Sequence, residues 1–160
     1  MNQAAALALP ILYCLLLAAA AVEDGWRLTI SNRTNVALLL VGIVALVVHG
    51  GADWWQHPLS FLIALLVGIG LYALGWLGGG DAKLLAAAAF AFDLDGLLRF
   101  VICVSMIGGV LAILFLAAAF LRKRREKDRK RANLPYGIAI AIGAATTLFA
   151  FPATNVILGR

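Results

Sequence analysis

The segment Gly78-Gly79-Gly80-Asp81-Ala82-Lys83 lies between two apolar runs of the sequence. A carboxylate at membrane depth costs on the order of 3 kcal/mol, so it is usually retained for chemistry, transport or a partner. The three glycines remove every side chain from the backbone before Asp81, which lets another segment or an extended peptide approach closely. We therefore expect Asp81 to be part of a site held by the apolar runs around it.

The composition places the chain in a membrane. Of its 160 residues, 64% are hydrophobic and 13% are charged, and a soluble domain carries about twice that charged share. The formal charge of +5 does not predict a nucleic-acid partner. Eight of the 13 basic residues fall between 122 and 131, beside long apolar runs, as in a cytoplasmic loop that follows the positive-inside rule.

The apolar runs predict an all-α polytopic membrane protein with six transmembrane helices in a single domain over residues 1–160. The fourth run is short, since even 80–92 spans only about 20 Å as a helix. Residues 23–35 are expected to form a polar loop and residues 93–96 a tight turn. The predicted spans are 4–22, 36–48, 58–77, 84–92, 97–121 and 135–158, the last broken by Pro152.

Counting the crossings predicts that two acidic sites share one face of the membrane. Asp24 follows the first span, Asp81 the third, and the basic run 122–131 the fifth. The loops predicted on the other face, 49–57 and 93–96, contain no Lys or Arg. This distribution of charge puts both aspartates on the cytoplasmic side, with both termini outside.

Two carboxylates held a few ångströms apart share a proton, because both cannot ionise cheaply. One can then activate a water as a general base while the other donates a proton to a carbonyl oxygen. Each acid also has a simpler interpretation. Asp24 can be an ordinary loop acid, and Asp81 an acid favoured by the dipole at a helix N-terminus. Lys83 can be a positive-inside charge, and Glu23 could replace Asp24 in any argument from charge alone.

Other reactive side chains do not form a predicted site. His49 and His57 could indicate a metal, but they fall on the opposite face from the aspartates. Cys14 and Cys103 lie inside apolar runs and have no metal or redox spacing. We therefore expect no metal and no cofactor.

Three motifs carry a resemblance to a known family. Gly78-Gly79-Gly80-Asp81-Ala82-Lys83-Leu84 resembles the Gly-x-Gly-Asp motif of prepilin peptidases. Asp24-Gly25-Trp26-Arg27-Leu28-Thr29-Ile30-Ser31-Asn32 is similar to that family's first motif, an aspartate with a basic residue and then Ile-Pro-Asn, and Ser31 takes the place of the usual proline. Pro135-Tyr136-Gly137-Ile138-Ala139 resembles the opening of its last helix. The motifs run in the family's order and cover essentially the whole chain.

The resemblance implies an intramembrane aspartic endopeptidase that removes the basic leader of prepilins at the cytoplasmic face of the plasma membrane. Its partners would be the prepilin, with its hydrophobic helix, and pilus assembly proteins. Nothing in the sequence corresponds to the N-terminal methyltransferase domain of the larger members, with its paired Cys-x-x-Cys motifs, which points to the short Flp/Tad-type form. Asp24 and Asp81 would be the catalytic pair, supported by the motif residues Gly78, Gly80, Lys83, Arg27 and Asn32.

Several competing functions share these features. An archaeal-type preflagellin peptidase has both aspartate motifs and differs mainly in substrate. A presenilin-like protease also uses Gly-x-Gly-Asp, but the Tyr-Asp pair expected in the preceding helix is missing from this sequence. A small proton-coupled transporter could use the same two aspartates as a proton relay. A non-catalytic pilus assembly factor is a further possibility.

Overall fold

The computed structural model describes residues 3–27, 29–121 and 136–158, and in these ranges the chain forms six α-helices and no strand. The predicted all-α membrane fold is confirmed. A single 3₁₀ turn, Pro152–Thr154, follows the last helix. The helices are α1 Gln3–Arg27, α2 Asn32–His49, α3 Gln56–Ala73, α4 Gly79–Ala89, α5 Leu94–Leu121 and α6 Tyr136–Ala150.

The helices differ in their ability to cross a membrane. Four described segments are long and apolar enough to span: Ala8–Arg27, Asn32–His49, Gln56–Ala73 and Leu94–Ala118. The apolar helix α6 has 15 residues, and α4 has only 11. At 1.5 Å per residue, α4 covers about 16 Å, roughly half of a hydrocarbon core. The basic run 122–131 lies outside the described residues.

The short helix α4 is the centre of the bundle. Every residue from 84 to 92 is buried, and α4 packs against α2, α3 and α6. Its four successive alanines, residues 86–89, keep the helix thin enough for its neighbours to approach closely. From α1, the buried Tyr13 hydroxyl donates to the Ala88 carbonyl at 2.9 Å. Because its neighbours surround it, α4 does not need the length of a spanning helix.

The first predicted loop is much shorter in the structure than expected. α1 continues to Arg27 and α2 begins at Asn32, so residues 23–27 are helical and Asp24 is not a loop acid. The prediction of a loop was wrong because the polar residues 23–27 were taken to end the first helix. The acidic side chains of this last turn instead have partners on neighbouring segments, described below.

Two other boundaries also differ from the prediction, each for a local reason. α3 ends at Ala73 rather than at 77, because Gly75 adopts a left-handed φ of 73° and Trp76 N–H donates to the Leu71 carbonyl at 3.0 Å. α6 ends at Ala150, where the chain turns into the 3₁₀ segment that begins at Pro152.

The expected turn at 93–96 is a helix cap. Asp93 Oδ1 accepts the Gly96 N–H at 2.7 Å, and the Asp93 carbonyl accepts the Leu97 N–H at 2.8 Å. An aspartate directly before a helix is a favoured N-cap, since its side chain accepts an N–H that has no partner within the helix. α5 therefore begins at Leu94, three residues earlier than predicted.

Candidate active site

Asp24 lies in the last turn of α1, where it is only 3% exposed. Its Oδ2 accepts the backbone N–H of Gly137 at 2.7 Å. Gly137 is in the first turn of α6, where N–H groups have no partner within the helix and the helix dipole favours a negative charge. The start of α6 thus binds the carboxylate that ends α1.

Gly137 cannot carry a side chain without disturbing this contact. A Cβ at this position would lie 2.8 Å from Asp24 Oδ2 and 2.9 Å from its Cγ. These distances are shorter than real Cβ contacts. The glycine is therefore required by the close approach of α1 and α6, rather than by an unusual backbone conformation.

Asp81 lies in the first turn of α4 and is 9% exposed. Burial, and after it the nearby charge of Asp24, raise its pKa to about 6, although the backbone N–H groups of Gly78 and Gly137 act in the opposite direction. The two predicted aspartates therefore come together, and the amide of Gly137 serves both. A carboxyl group in this setting retains its proton at a higher pH than an exposed one.

The glycines before Asp81 hold the start of α4 against its neighbours. A Cβ on Gly78 would lie 2.8 Å from Asp81 Oδ2, and one on Gly80 would lie 3.3 Å from the backbone nitrogen of Ile30. The expectation that another segment approaches here closely is met, and that segment is the connection between α1 and α2. An approach of substrate to the same glycines stays a prediction.

Lys83 and Asn32, both predicted supports, contact each other. Lys83 Nζ donates to Asn32 Oδ1 at 3.0 Å. Residues two apart on a helix do not face the same side, so Lys83 points away from Asp81. Arg27 is exposed at the end of α1. The structure thus brings Lys83 and Asn32 together but not next to the two carboxylates.

Glu23 has a different role from its neighbour Asp24. Its carboxylate accepts the Ser31 N–H at 2.9 Å and the Thr34 hydroxyl at 3.1 Å. The Ser31 hydroxyl in turn accepts the Arg33 N–H at 3.1 Å, which caps α2. Proline at position 31 has no N–H and could not make the bond to Glu23.

Sequence reasoning did not assign Gly137 or Glu23 to the site. The signal for Gly137 was the start of a helix after Pro135, where free N–H groups are available to an anion. For Glu23, the available signal was its partner Ser31, a serine directly before an apolar run, which marks the beginning of α2. Neither signal identifies its partner, because both contacts join segments from different parts of the chain.

The histidines lie at the opposite end of the bundle. His49 Nδ1 is 3.2 Å from the Val156 carbonyl, and His57 Nδ1 is 3.2 Å from the Phe90 carbonyl. Within the described ranges, no group of three or more His, Cys, Asp or Glu side chains could hold a metal ion. Both imidazoles thus connect segments of the fold.

Fold and site together define a class: an all-α integral membrane protein in which acids from two helices meet at the N-terminus of a third. Residues 11–113 match the model of the type IV leader peptidase family. Because this match covers more than half of the chain, the protein belongs to that family of peptidases, and the resemblance seen in the motifs is confirmed. Comparison with curated proteins and with solved structures gave no significant match.

Proposed function

We propose that the protein is an intramembrane aspartic endopeptidase that removes the leader peptide of type IV prepilins. The observation that carries the proposal is the convergence of two buried carboxylates, Asp24 and Asp81, on the amide of Gly137. Membership of the leader peptidase family supports the peptidase class. Family membership does not identify the mechanism, so the aspartic mechanism and the two catalytic residues are what we propose in addition.

The two acids divide the chemistry between them. We assign the negative charge to Asp24, because its Oδ2 already accepts an N–H, and the shared proton to Asp81. Asp24 takes a proton from a water, whose oxygen attacks the scissile carbonyl carbon, while Asp81 protonates the carbonyl oxygen. When the tetrahedral intermediate collapses, the C–N bond breaks, the proton on Asp24 moves to the departing amine, and a hydroxyl of the intermediate returns its proton to Asp81 as the new carboxylic acid forms.

A groove beside the aspartates supports an apolar helix as the substrate. It has a volume of about 320 Å³ and lies between α3 and α5, which barely contact each other. Leu85, one helical turn from Asp81 on the same face of α4, lines it, and so does Tyr136, the residue before Gly137. Much of the remaining lining is apolar or small: Val67, Leu71, Leu77, Val101, Val104, Gly108, Gly109, Ala112 and Ile140.

The proposal includes the plasma membrane, with the aspartates on its cytoplasmic side, and a substrate of the Flp/Tad type. Charge distribution supports the side, since the basic run 122–131 is placed there by the positive-inside rule. Labelling a single cysteine at Arg27 from only the outside would contradict the cytoplasmic assignment.

The decisive experiment replaces each aspartate by asparagine and follows a co-expressed prepilin on a gel. Asp24→Asn and Asp81→Asn keep the side-chain size and remove the proton chemistry. We expect each to lower the cleavage rate by roughly 10³-fold or more, and the double variant to be no worse than either single one, as for residues acting as a unit.

Glu23→Gln is the matched control for this experiment. It removes a neighbouring charge but leaves an oxygen that can accept the Ser31 N–H. We expect it to retain most of the activity. If both aspartate variants still process the prepilin, the protease mechanism is wrong. Loss of proton flux with processing unchanged would favour the transporter.

A further inference from the structure

A second groove lies on a different side of α4 from the one described above. It has a volume of about 340 Å³ and is enclosed by α2, α3 and α4. Lys83, Ala86 and Ala87 line it, whereas Asp81 and Leu85 do not. The groove is therefore separate from the proposed catalytic site. The other lining residues are Asn32, Asn35, Val36, Leu39, Phe61 and Leu65.

Asn35 is a polar side chain without a partner in this groove. It is 6% exposed, and neither its Oδ1 nor its Nδ2 forms a hydrogen bond within the described part of the chain. A buried polar group left unsatisfied costs about 1–3 kcal/mol. The amide therefore has unused capacity both to donate and to accept a hydrogen bond. Asn35 lines the groove, which is otherwise mostly apolar, while its two amide atoms are covered by neighbouring atoms in this side-chain conformation.

The polarity of the groove changes along its length. Lys83 is exposed at the start of α4, beside Asn32, and the exposed Arg33 lies next to Asn32 in the sequence. Asn35 follows about 4.5 Å further along α2, and Leu39 a full turn beyond that. The order is therefore cation, then amide, then hydrocarbon.

We propose that this groove binds an anionic phospholipid whose headgroup carries a hydroxyl, such as phosphatidylglycerol. The phosphate lies at Lys83, and an acyl chain follows the apolar part of the groove along Leu39 and Leu65. On binding, the Asn35 side chain rotates toward the groove, so that Nδ2 donates to an ester carbonyl of the glycerol backbone and Oδ1 accepts from a hydroxyl. The lipid thereby uses both atoms of the amide.

The lining favours a lipid over an extended peptide segment. An extended peptide in the groove would need a partner for every backbone N–H and C=O, since hydrocarbon offers none. Beyond Asn35 the lining side chains are apolar. A phospholipid has polar groups only at the level of Lys83 and Asn35, and needs nothing but apolar contact further along.

Native mass spectrometry of the purified full chain tests the proposal with phosphatidylglycerol and phosphatidylcholine as probes. We expect the wild type to retain phosphatidylglycerol about tenfold better. Asn35→Leu and Lys83→Gln should each reduce this preference severalfold. Arg99→Gln is the matched control, since Arg99 is an exposed cation at the other end of the bundle, stacked 4.5 Å over the Phe151 ring. It should leave the preference unchanged.

A second measurement keeps the test independent of folding defects. In phosphatidylcholine nanodiscs, Asn35→Leu should be at least as stable as the wild type, because it removes an unsatisfied amide. Addition of phosphatidylglycerol should raise the Tm of the wild type and not that of the variant. If Asn35→Leu folds poorly, Val36→Trp replaces it in this test. Its larger side chain fills the groove from the exposed edge, so we expect it to abolish the rise in Tm caused by phosphatidylglycerol.

Three outcomes would overturn the proposal. The first is equal retention of the two lipids by the wild type. The second is an unchanged preference in folded Asn35→Leu and Val36→Trp. The third is displacement of the bound lipid by a prepilin peptide, which would assign the groove to the substrate. None of these outcomes depends on cleavage activity, so they leave the proposed peptidase function to its own test.

Discussion

At one end of the bundle, the buried Asn155 side chain has its hydrogen bonds supplied by the chain. Asn155 donates from Nδ2 to the carbonyls of Leu148, Phe151 and Pro152 at 3.1–3.2 Å, and its Oδ1 accepts the Leu158 N–H at 3.1 Å. At the other end, Asp24 Oδ2 accepts the Gly137 N–H at 2.7 Å, and the Gly78 and Gly137 N–H groups are the donors near Asp81. The Asn155 side chain is fully satisfied, whereas the two carboxylates depend on a few backbone N–H groups at helix starts.

This difference separates structural from chemical roles. A satisfied polar network fixes the segments that it joins, and it has little capacity left for a ligand. Two buried carboxylates with few donors are costly to the fold, and a water or a substrate amide can supply what they lack. The comparison leads us to expect that changes at the Asn155 end alter stability, whereas changes at the Asp24 end alter activity.

The largest effect outside the two aspartates is expected at Gly137. In Gly137→Ala, the new Cβ would lie within 2.9 Å of the Asp24 carboxylate and must push it from the N–H that binds it. We expect prepilin cleavage to fall by roughly 10²-fold, as for a small displacement within an active site. The rate of processing in membranes with equal protein levels measures this.

Gly70→Ala is the control for that change. Gly70 is also a helical glycine, in α3, and a Cβ there meets nothing within 4 Å. Its activity should equal that of the wild type. Normal cleavage by Gly137→Ala would show that the contact between α1 and α6 is structural only.

The next largest effect is expected on stability, at the satisfied end. Asn155→Ala leaves three carbonyls and one N–H without their side-chain partner, which should cost about 2 kcal/mol or more in the free energy of unfolding. Unfolding in detergent, followed by tryptophan fluorescence, gives this quantity. The folded fraction should cleave prepilin at the normal rate, and a folded but inactive Asn155→Ala would contradict the division between the two ends.

The smallest effect is expected at Glu23, which precedes Asp24 in the same helical turn but has its hydrogen bonds supplied by Ser31 and Thr34. Glu23→Ala removes the acceptor for Ser31 N–H and Thr34 Oγ1, and should lower stability by about 1 kcal/mol with only a severalfold loss of activity. Ser31→Pro removes the same N–H while fitting the observed φ of −66°.

A double-variant cycle sharpens this prediction. If Glu23 and Ser31 act through one bond, the effects of Glu23→Ala and Ser31→Pro should not add. Full additivity in the free energy of unfolding would mean that the two residues stabilise the protein separately. A loss of activity in Glu23→Ala as large as in Asp24→Asn would place Glu23 among the chemical groups.

Several parts of this arrangement could be predicted from local sequence. The apolar runs gave six helices, and the glycines around Asp81 indicated a close backbone approach. The family followed from short motifs. Helix ends were predicted less well, because they depend on individual contacts, such as the left-handed Gly75 that ends α3 and the Asp93 side chain that begins α5. Residues 23–27 were misread because Glu23 and Asp24 accept hydrogen bonds from residues outside α1, which local sequence does not reveal.

The sequence by itself determined the membrane class, the all-α fold and the family, since composition, hydrophobic run length and motif spacing are properties of neighbouring residues. Only the tertiary structure decided what surrounds each acid. Asp24 meets an N–H 113 residues away, while Glu23, its neighbour, meets Ser31. Adjacent helical residues point in different directions, about 100° apart, so the packing of α1 against α2 and α6 gives Glu23 and Asp24 different partners.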